Sequence, residues 1–172
     1  WRTDAATLAA HAQDNSWRHA LPLGVALPEN REQVQAIVRA CRAHGVALIG
    51  RGAGTGTTGA AVPSAGSIVL SFARMNRILA LRPGDRCAVV EPGVLNGDLQ
   101  QALMPHGLFW PPDPSSFEMC SIGGNLATNA GGPRAVKYGT SRDNVLGLVA
   151  VTGAGEIIEC GGPWTKDATG YD

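Results

Sequence analysis

The chain has 172 residues, of which 44% are hydrophobic and 16% charged, a balance typical of a globular domain with its own core and not of a disordered chain. Its 14 basic residues equal its 14 acidic residues, so net charge gives no general attraction to nucleic acid or to an anionic membrane. No apolar run approaches the roughly 18 residues of a membrane helix, and no charged-then-apolar leader opens the chain, so we expect a cytoplasmic protein.

The four cysteines are too dispersed in sequence to suggest a shared site. No pair has the CxxC spacing, and no histidine lies at the spacing that a zinc site needs. We therefore expect reduced thiols, buried or half-buried, and no bound metal. The cysteines are Cys41, Cys87, Cys120 and Cys160.

The first half of the chain alternates between helix and strand signals. Asp4 precedes an alanine-rich stretch, which predicts a short capped helix over 4–14. After Asn30, a good N-cap, apolar residues recur at helical spacing as far as Gly45 and predict an amphipathic helix. A strand on each side of this helix, and a third one after them, predict a βαβ unit with a small parallel or mixed sheet. The three predicted strands are 23–27, 46–49 and 67–72.

The second half predicts a strand, a helix and a hairpin. An apolar run over 87–91 ends at a Pro-Gly pair, and leucines at helical spacing predict a helix over 95–103. Two further apolar runs, 145–152 and 156–160, flank a Gly-Ala-Gly turn and predict a β-hairpin. Because the chain stops soon after this hairpin, we expect a fragment of a longer protein whose second sheet lacks strands.

The stretch RGAGTGTTG, residues 51–59, has the Gly-x-Gly-x-x-Gly spacing of a Rossmann dinucleotide fingerprint. That fold also needs a helix at the end of the loop and an acidic residue about 20 positions later. Here Pro63 and another strand follow, and no Asp or Glu occurs between Gln33 and Gly84, so a Rossmann NAD enzyme is disfavoured. Consecutive Gly and Thr residues instead predict a nest of N–H groups for an anion, and the arginines of this acid-free stretch favour a pyrophosphate. A glycine-rich connection without a ligand is the alternative.

A second small-residue run, CSIGGNLATNAGG over 120–132, predicts another glycine loop. It leaves room for a flat ring to lie against the backbone, and Asn125, Thr128 and Asn129 supply amide and hydroxyl groups for ring or ribityl atoms. The alternative is a tight contact between segments built of small residues. Two such loops in one chain, one suited to phosphate and one to a ring, predict a large dinucleotide with an aromatic head.

Isolated polar and aromatic residues carry weaker signals. His44 and His106 each precede a glycine at a predicted helix end. There we expect each to interact with the helix dipole rather than to act as a catalytic base. Trp110 has the ring to stack on a ligand, but packing is its expected role. Arg134 and Lys137 are expected on a solvated face. Asp113 and Asp143 do not have the spacing of a catalytic pair.

Several segments together resemble one family of flavoproteins. In order, they are RGAGTGTTGAAVP, VEPGV, GLFWPPDPSS, SIGGNLATNAGGPRAVKYG and KDATGYD. In them the sequence is similar to the FAD-binding domain (PCMH-type) of the p-cresol methylhydroxylase / vanillyl-alcohol oxidase superfamily. The branch is that of the glycolate oxidase flavin subunit, FAD-linked D-lactate dehydrogenase and D-2-hydroxyglutarate dehydrogenase. The resemblance implies that residues 1–172 are an α+β FAD-binding domain of two subdomains, about 20–80 and about 81–172, with FAD between them and the second subdomain incomplete.

The resemblance also implies a role for each matching segment. Residues 51–59 would hold the pyrophosphate through backbone amides, 113–116 would lie beside the flavin or its ribityl chain, and 123–130 would pack near the isoalloxazine and phosphates. Tyr138-Gly139 and the hairpin around Ile157 would complete the adenine and ribityl side. The implied cofactor-binding residues are Arg51, Gly52, Ala53, Gly54, Thr55, Gly56, Thr57, Gly59, Pro112, Asp113, Pro114, Ser115, Ser116, Gly123, Gly124, Asn125, Thr128, Asn129, Ala130, Tyr138, Gly139 and Ile157.

The implied activity is oxidation of a D-2-hydroxy acid, such as glycolate or D-lactate, to the 2-oxo acid by hydride transfer to flavin N5. The alternative is an FAD- or nucleotide-binding module without redox activity of its own. Family members that bind flavin covalently have a histidine where this chain has Thr55, so non-covalent FAD is expected.

The family's substrate clamp and general base lie beyond the KDATGYD segment, so the resemblance implies that this chain alone is inactive. The hydroxy acid would bind through a domain outside the chain, and the reduced flavin would pass electrons to an acceptor or a partner subunit. The resemblance leaves two locations open, the cytoplasm and the inner face of the membrane as part of a complex.

Overall fold

A three-stranded parallel sheet forms in the first half of the chain. The computed structural model describes residues 1–163, so the predicted KDATGYD segment lies outside the described residues. The structure confirms the three predicted strands and makes their arrangement parallel, with the last strand in sequence at the centre. The strands are β1 (Gly24–Ala26), β2 (Leu48–Arg51) and β3 (Ile68–Ser71), in the order β1-β3-β2 across the sheet.

Helix α1 (Ala5–Ala10) precedes the sheet and is shorter than predicted. Asp4 caps it as expected, by accepting a backbone hydrogen bond of 3.0 Å. The predicted range of 4–14 is too long because Asp14 accepts a hydrogen bond from the Ser16 amide, a local turn that competes with helical geometry. The chain after α1 therefore turns back toward the end of β2.

Helix α2 (Arg31–Ala43) connects β1 to β2 and follows the sequence prediction closely. The Asn30 side chain accepts the capping hydrogen bond, and Gly45 after the helix has a φ of +64°, which glycine adopts at low cost. Its apolar face packs on the sheet, since Val34 shares a buried cluster with Leu70 of β3.

The second half opens with an antiparallel hairpin. The sequence predicts β5 (Cys87–Val90) but not β4 (Ile78–Arg82), which pairs antiparallel with β5. Arg77 and the buried Glu91 close the open end of the hairpin with an ion pair of 2.6 Å between Nη2 and Oε1. Helix α3 (Asn96–Leu103) follows as predicted.

The run 120–132 is not a loop throughout, because it contains helix α4 (Ile122–Ala127). Ser121 caps this helix by accepting a hydrogen bond of 3.2 Å from the Gly124 amide. The loop prediction is wrong for these residues because the cap and the burial of Ile122 outweigh the low helix propensity of two glycines. The next helix is the single turn α5 (Ala135–Tyr138).

The predicted C-terminal hairpin is present and docks on the first half of the chain. Strands β6 (Gly147–Val151) and β7 (Ile157–Gly161) pair antiparallel. At the turn between them, the Gly155 carbonyl accepts hydrogen bonds from Gln35 Nε2 at 2.8 Å and Arg39 Nε at 3.0 Å. Two side chains of α2 therefore anchor this hairpin.

Two clusters of buried apolar residues form the core. The first packs α2 on the parallel sheet, and Val151 of β6 packs against it. The second packs α3 and α4 against the β4–β5 hairpin, through side chains that include Ile78. The subdomain ranges of 20–80 and 81–172 stay a prediction. The buried members are Ala26, Val34, Leu70 and Met75 in the first cluster and Val94, Leu99, Leu103 and Ile122 in the second.

The two antiparallel hairpins expose apolar side chains to solvent. Leu79 and Val89 on the first hairpin and Leu148 and Val149 on the second are each at least 41% exposed. Neighbours along a strand point to opposite faces, so both faces of β6 are open to contact with other apolar surfaces. Among the residues described, no helix has the length and apolar character needed to cross a membrane.

Candidate functional site

The glycine loop at 51–59 begins at the carboxyl end of β2, and its N–H groups are unused. Among the described residues, none accepts a hydrogen bond from the backbone amides of residues 52–60. Residues 52–60 are half-buried to exposed, so these donors are open to solvent or to a ligand. The loop therefore offers a set of donors to an anionic ligand, as the nest prediction requires.

The carbonyl groups of the same loop are engaged by residues from the N-terminal region. The Asn15 amide donates to the Gly56 carbonyl at 3.0 Å, and Asn15 Nδ2 donates to the Thr55 carbonyl at 3.4 Å. Sequence reasoning missed this contact, since residues separated by 40 positions show no shared local pattern.

Arg51, at the start of the loop, lines the cavity, and its guanidinium is engaged by backbone carbonyls at the two ends of the loop. Its guanidinium Nη1 donates to the Gln13 carbonyl at 2.8 Å and to the Ala61 carbonyl at 3.4 Å, and the residue is only 8% exposed. Burial lowers the pKa of Arg51, while the charge of Asp14 raises it. Burial would raise the pKa of Asp14, but hydrogen bonds from Ser16 and Ala61 and the charge of Arg51 together lower it. The net effect is a lowered pKa for both groups, which favours the ionised form of Asp14.

The surroundings of three loop glycines differ, and so does the reason why glycine fits each position. Gly54 has a φ of +73°, and a Cβ there would fall onto the Arg51 guanidinium. A Cβ on Gly52 would fall onto Ser121 Oγ, the atom that caps α4. Gly56 has neither constraint, since no atom lies within 4 Å of the position where its Cβ would be. The open space at Gly56 fits the close approach of a ligand to the backbone.

The second predicted segment meets the first at the start of α4. Gly52 contacts Ser121, and Gly123 and Gly124 line the same cavity as Gly52. The Gly123 amide donates to the Pro92 carbonyl at 2.8 Å, and a Cβ on Gly123 would crowd Pro92. Close packing within the chain, the alternative kept open for this run, therefore accounts for Gly123.

The polar side chains of this run have partners or lie in the interior. Asn125 is buried and its Nδ2 has no hydrogen-bond partner among the described residues, while Thr128 Oγ1 donates to the Gly124 carbonyl. Asn129 Oδ1 accepts from the Arg142 amide. None of these three side chains lines the cavity, and Ala130 uses its carbonyl to accept from Ser141. Their roles toward a flavin stay predictions.

The segment 112–116 is tied to the end of the second run. Asp113 Oδ1 accepts from the Arg134 amide at 3.0 Å, and the Asp113 amide donates to the Gly131 carbonyl at 2.9 Å. The Pro112 carbonyl accepts from Asn96 Nδ2 at 2.9 Å. The Asp113 carboxylate thus orders two neighbouring loops. Of the predicted cofactor-binding residues, only Arg51, Gly52, Gly123 and Gly124 line the cavity. Outside the lining are residues 53–59, Pro112, Asp113, Pro114, Ser115, Ser116, Tyr138, Gly139 and Ile157.

The remaining aromatic and charged candidates have structural surroundings. Trp110 packs against the second apolar cluster, which confirms packing as its role. The Tyr138 ring meets Phe109 edge to face, with Lys137 and Arg134 over the two rings. Three of the six arginines of the acid-free stretch have partners elsewhere, since Arg74 pairs with Glu29, Arg77 with Glu91, and Arg39 with the Gly155 carbonyl.

A cavity of about 760 Å³ adjoins the contact between the two glycine-rich segments. This volume is within the range typical of ligand sites, about 300–1,000 Å³. Its walls are mainly apolar residues of α2, the parallel sheet and β6. Two arginines of α2, Arg31 and Arg42, also line it. Sequence reasoning missed these lining residues, because a helix face and two strands meet there only in the folded chain.

The acidic residues, histidines and cysteines are dispersed in the part of the chain that the structure describes. Within residues 1–163, no three His, Cys, Asp or Glu side chains come together as metal ligands. The four cysteines have free thiols, and burial raises the pKa of Cys41 and of Cys120. The donors on offer to a ligand are therefore mainly backbone N–H groups.

Known proteins are similar to this chain in sequence and in fold. The family profile of the FAD binding domain matches residues 22–161. The D-2-hydroxyglutarate dehydrogenase of Stutzerimonas stutzeri (strain A1501) is 44% identical over 171 residues, which are 99% of this chain and 37% of that protein. The glycolate oxidase subunit GlcD of Bacillus subtilis (strain 168) is 42% identical over 153 residues, which are 89% of this chain and 33% of that protein.

A solved structure supports the same assignment. The 6-hydroxy-D-nicotine oxidase of Arthrobacter nicotinovorans superposes with a TM-score of 0.78 at 28% identity, over 92% of this chain and 34% of that one. The chain thus spans about a third of the length of these relatives. The free amides of the glycine loop and the adjoining cavity fit a dinucleotide, in agreement with these matches. The chain belongs to the FAD binding domain family, has the PCMH-type fold and takes FAD as its cofactor.

Proposed function

We propose that this chain supplies the FAD site of a flavin-dependent oxidoreductase that oxidises a D-2-hydroxy acid to the 2-oxo acid. The unpaired N–H groups of residues 52–60, at the end of β2 and beside the start of α4, carry the proposal. The names of the relatives support the substrate class, since they include a D-2-hydroxyglutarate dehydrogenase and a glycolate oxidase subunit.

In this proposal the loop 51–59 holds the FAD pyrophosphate through its backbone. Peptide N–H groups carry partial positive charge and stay fixed in place, so they bind a phosphate without the entropy cost of ordering long side chains. Gly56 has open space where a side chain would lie, and its amide has no acceptor among the described residues. Thr55 and Thr57 add hydroxyl donors on the same loop.

We propose the rest of the site from the positions of its residues in the fold. Gly123 and Gly124 line the cavity, so their backbone lies where part of the cofactor would pass. The segments 112–116 and 128–130 are joined by the Asp113 contacts and would lie toward the flavin. Tyr138, Gly139 and Ile157 would complete the adenine and ribityl side. FAD would be held non-covalently, because Thr55 has no nucleophilic nitrogen with which to form the histidyl bond of covalent members.

Bound FAD would supply the electron-pair acceptor for hydride removal from the substrate carbon. The chain's own residues bind and orient the cofactor, and the apolar walls of the cavity exclude water from part of it. We place the carboxylate clamp, the general base and the electron acceptor outside residues 1–172. This chain alone would then bind FAD without turning over a hydroxy acid.

The test uses the protein expressed from its complete reading frame. We expect flavin absorption bands, release of FAD on acid precipitation, and anaerobic bleaching of the flavin by a D-2-hydroxy acid but not by its L-enantiomer. Flavin that stays with the precipitated protein would contradict non-covalent binding. A holoprotein that no 2-hydroxy acid bleaches would favour the alternative, an FAD-binding module without redox activity of its own.

A further inference from the structure

The peptide planes at the centre of the glycine loop are fixed from behind. The Thr55 and Gly56 carbonyls accept hydrogen bonds from Asn15, and all described peptide bonds are trans. In a trans peptide the C=O of one residue and the N–H of the next point in opposite directions. The amides of Gly56 and Thr57 therefore point away from Asn15, toward the open side of the loop.

The two ends of the loop are joined by a single side chain. Arg51 Nη1 bridges the carbonyls of Gln13 and Ala61, so one guanidinium links both ends of the loop to the N-terminal region. Asp14, 9% exposed, is the neighbouring opposite charge, although no direct ion pair joins it to Arg51 and its Oδ2 has no hydrogen-bond partner among the described residues. The same guanidinium also packs against Gly54, the loop residue with left-handed backbone.

We propose that residues 13–15 act as a brace that positions the glycine loop for pyrophosphate binding, with Arg51 as its link and Asp14 as the counter-charge. This inference rests on the proposed role of the loop at 51–59 in FAD binding. It changes the role of Arg51, whose guanidinium is a positioning group and not a phosphate ligand. It also adds Asp14 and Asn15 to the residues on which FAD affinity depends.

The brace and a direct phosphate contact by Arg51 predict opposite signs for one substitution. If Arg51 contacts the phosphate directly, the charge of Asp14 opposes binding of the anion. Asp14→Asn removes that negative charge, so a direct contact predicts that this variant binds FAD more tightly. The brace predicts weaker binding, because Arg51 loses its counter-charge and the loop loses its fixed shape. Preorganisation of this kind commonly changes affinity by lowering the cost of ordering a loop.

The experiment measures affinity for FAD and for riboflavin in full-length protein stripped of flavin, by quenching of flavin fluorescence. We expect Asp14→Asn and Arg51→Lys to raise the dissociation constant for FAD by about tenfold, within the range of coupling between contacting residues. Lysine keeps the charge of Arg51 but cannot bridge two carbonyls with one planar group. We expect the affinity for riboflavin, which has no pyrophosphate, to stay within about twofold of wild type, well below the coupling range.

The exposed Asn15 gives a milder variant that should fold if Asp14→Asn does not. Asn15→Ala removes the side-chain bond to Thr55 and keeps the backbone bond to Gly56, so we expect a rise of about threefold in the FAD dissociation constant. Asp98→Asn and Arg74→Lys make the same two replacements at exposed positions away from the loop and serve as matched controls that leave both affinities unchanged.

The outcomes separate the brace from the proposed function. If wild-type protein binds FAD and Asp14→Asn binds it equally well or better, the brace is wrong and the proposed function stands. If FAD and riboflavin affinities fall together, the substitutions act on the fold as a whole and the brace is also wrong. If wild-type protein does not bind FAD, the proposed function fails and the brace fails with it.

Discussion

At the scale of single residues, glycine has several distinct uses in this chain. Gly54 is required by its backbone conformation and by the guanidinium against it, whereas Gly123 is required by the backbone of Pro92. Gly56 is required by neither, since the space around it is open and its φ is not in the left-handed region. A glycine without a structural reason inside a row of free amides points to a ligand that approaches the backbone.

This difference leads to a prediction for Gly56→Ala. We expect the unfolding temperature of the flavin-free protein to stay the same or rise slightly, because alanine restricts the unfolded chain. The FAD dissociation constant should rise by about tenfold, the equivalent of roughly 1.4 kcal/mol, because a methyl group occupies the ligand's side of the loop. Thermal unfolding and fluorescence titration measure the two quantities.

The control for this substitution is Gly84→Ala. Gly84 also has open space around its Cβ position and no left-handed φ, but it lies in a 3₁₀ turn after β4, away from the loop. Its replacement should change neither quantity. Equal FAD affinity in Gly56→Ala and Gly84→Ala would show that the ligand does not approach Gly56.

At the scale of elements, each antiparallel hairpin is held in place by a polar anchor. Arg77 and Glu91 join the ends of β4 and β5, and α2 holds the turn between β6 and β7 through the Gly155 carbonyl. A two-stranded hairpin is marginally stable by itself in water, so such anchors matter to whether it forms. The Glu91 carboxylate is nearly buried, whereas the Arg77 side chain is 65% exposed.

The Glu91 anchor predicts a dependence of stability on pH. Hydrogen bonding from the Arg77 side chain lowers the pKa of Glu91 from its ordinary value of 4.5, against an opposing effect of burial. The folded-state pKa lies below the unfolded one, so the anchor stabilises fully above about pH 4.5 and is lost as pH falls through the folded-state pKa. We expect Glu91→Gln to lower the unfolding temperature by about 3 °C at pH 7, with a smaller difference from wild type at pH 3.

Glu29→Gln provides the comparison for this prediction. Glu29 forms an ion pair of 3.0 Å with Arg74, but both side chains are about half-exposed, so solvent and salt screen the pair. Its replacement should have little effect at either pH. A constant difference between Glu91→Gln and wild type from pH 7 to pH 3 would contradict the role given to the ionised carboxylate.

At the scale of the whole molecule, the glycine loop joins the two halves of the chain. The loop extends from the parallel sheet of the first half, and Gly52 contacts Ser121 at the start of α4 in the second. A ligand bound there contacts elements that pack in two different apolar clusters. FAD should therefore stabilise both halves together and not the loop alone.

We expect added FAD to raise the unfolding temperature of the flavin-free protein in proportion to the logarithm of its concentration. At 100 times the dissociation constant the gain is about 2.7 kcal/mol for a ligand that binds only the folded state. Riboflavin at the same concentration should give a smaller rise, because it makes no contact with the amides of 52–60. Equal shifts with FAD and riboflavin would place the main binding energy outside the glycine loop.

The local pattern of the sequence was enough for α2, the strands of the parallel sheet and the C-terminal hairpin. Caps such as Asn30, the terminating Gly45 and the spacing of apolar residues act over one to four positions, so they are readable without the fold. The motif RGAGTGTTG and its neighbours also led to the FAD family, because a chain that brings backbone close to a phosphate must place small residues at those positions.

The contacts that complete the site are different in kind, because they join residues far apart in the chain. Nothing in the sequence near Asn15 shows that it would meet Thr55, and nothing near Gly52 shows that Ser121 would lie against it. Helix α4 formed despite two glycines because burial of Ile122 outweighed their local preference. The burial of Arg51 and its bond to the Gln13 carbonyl were likewise decided by tertiary packing, because these residues are 38 positions apart in the chain.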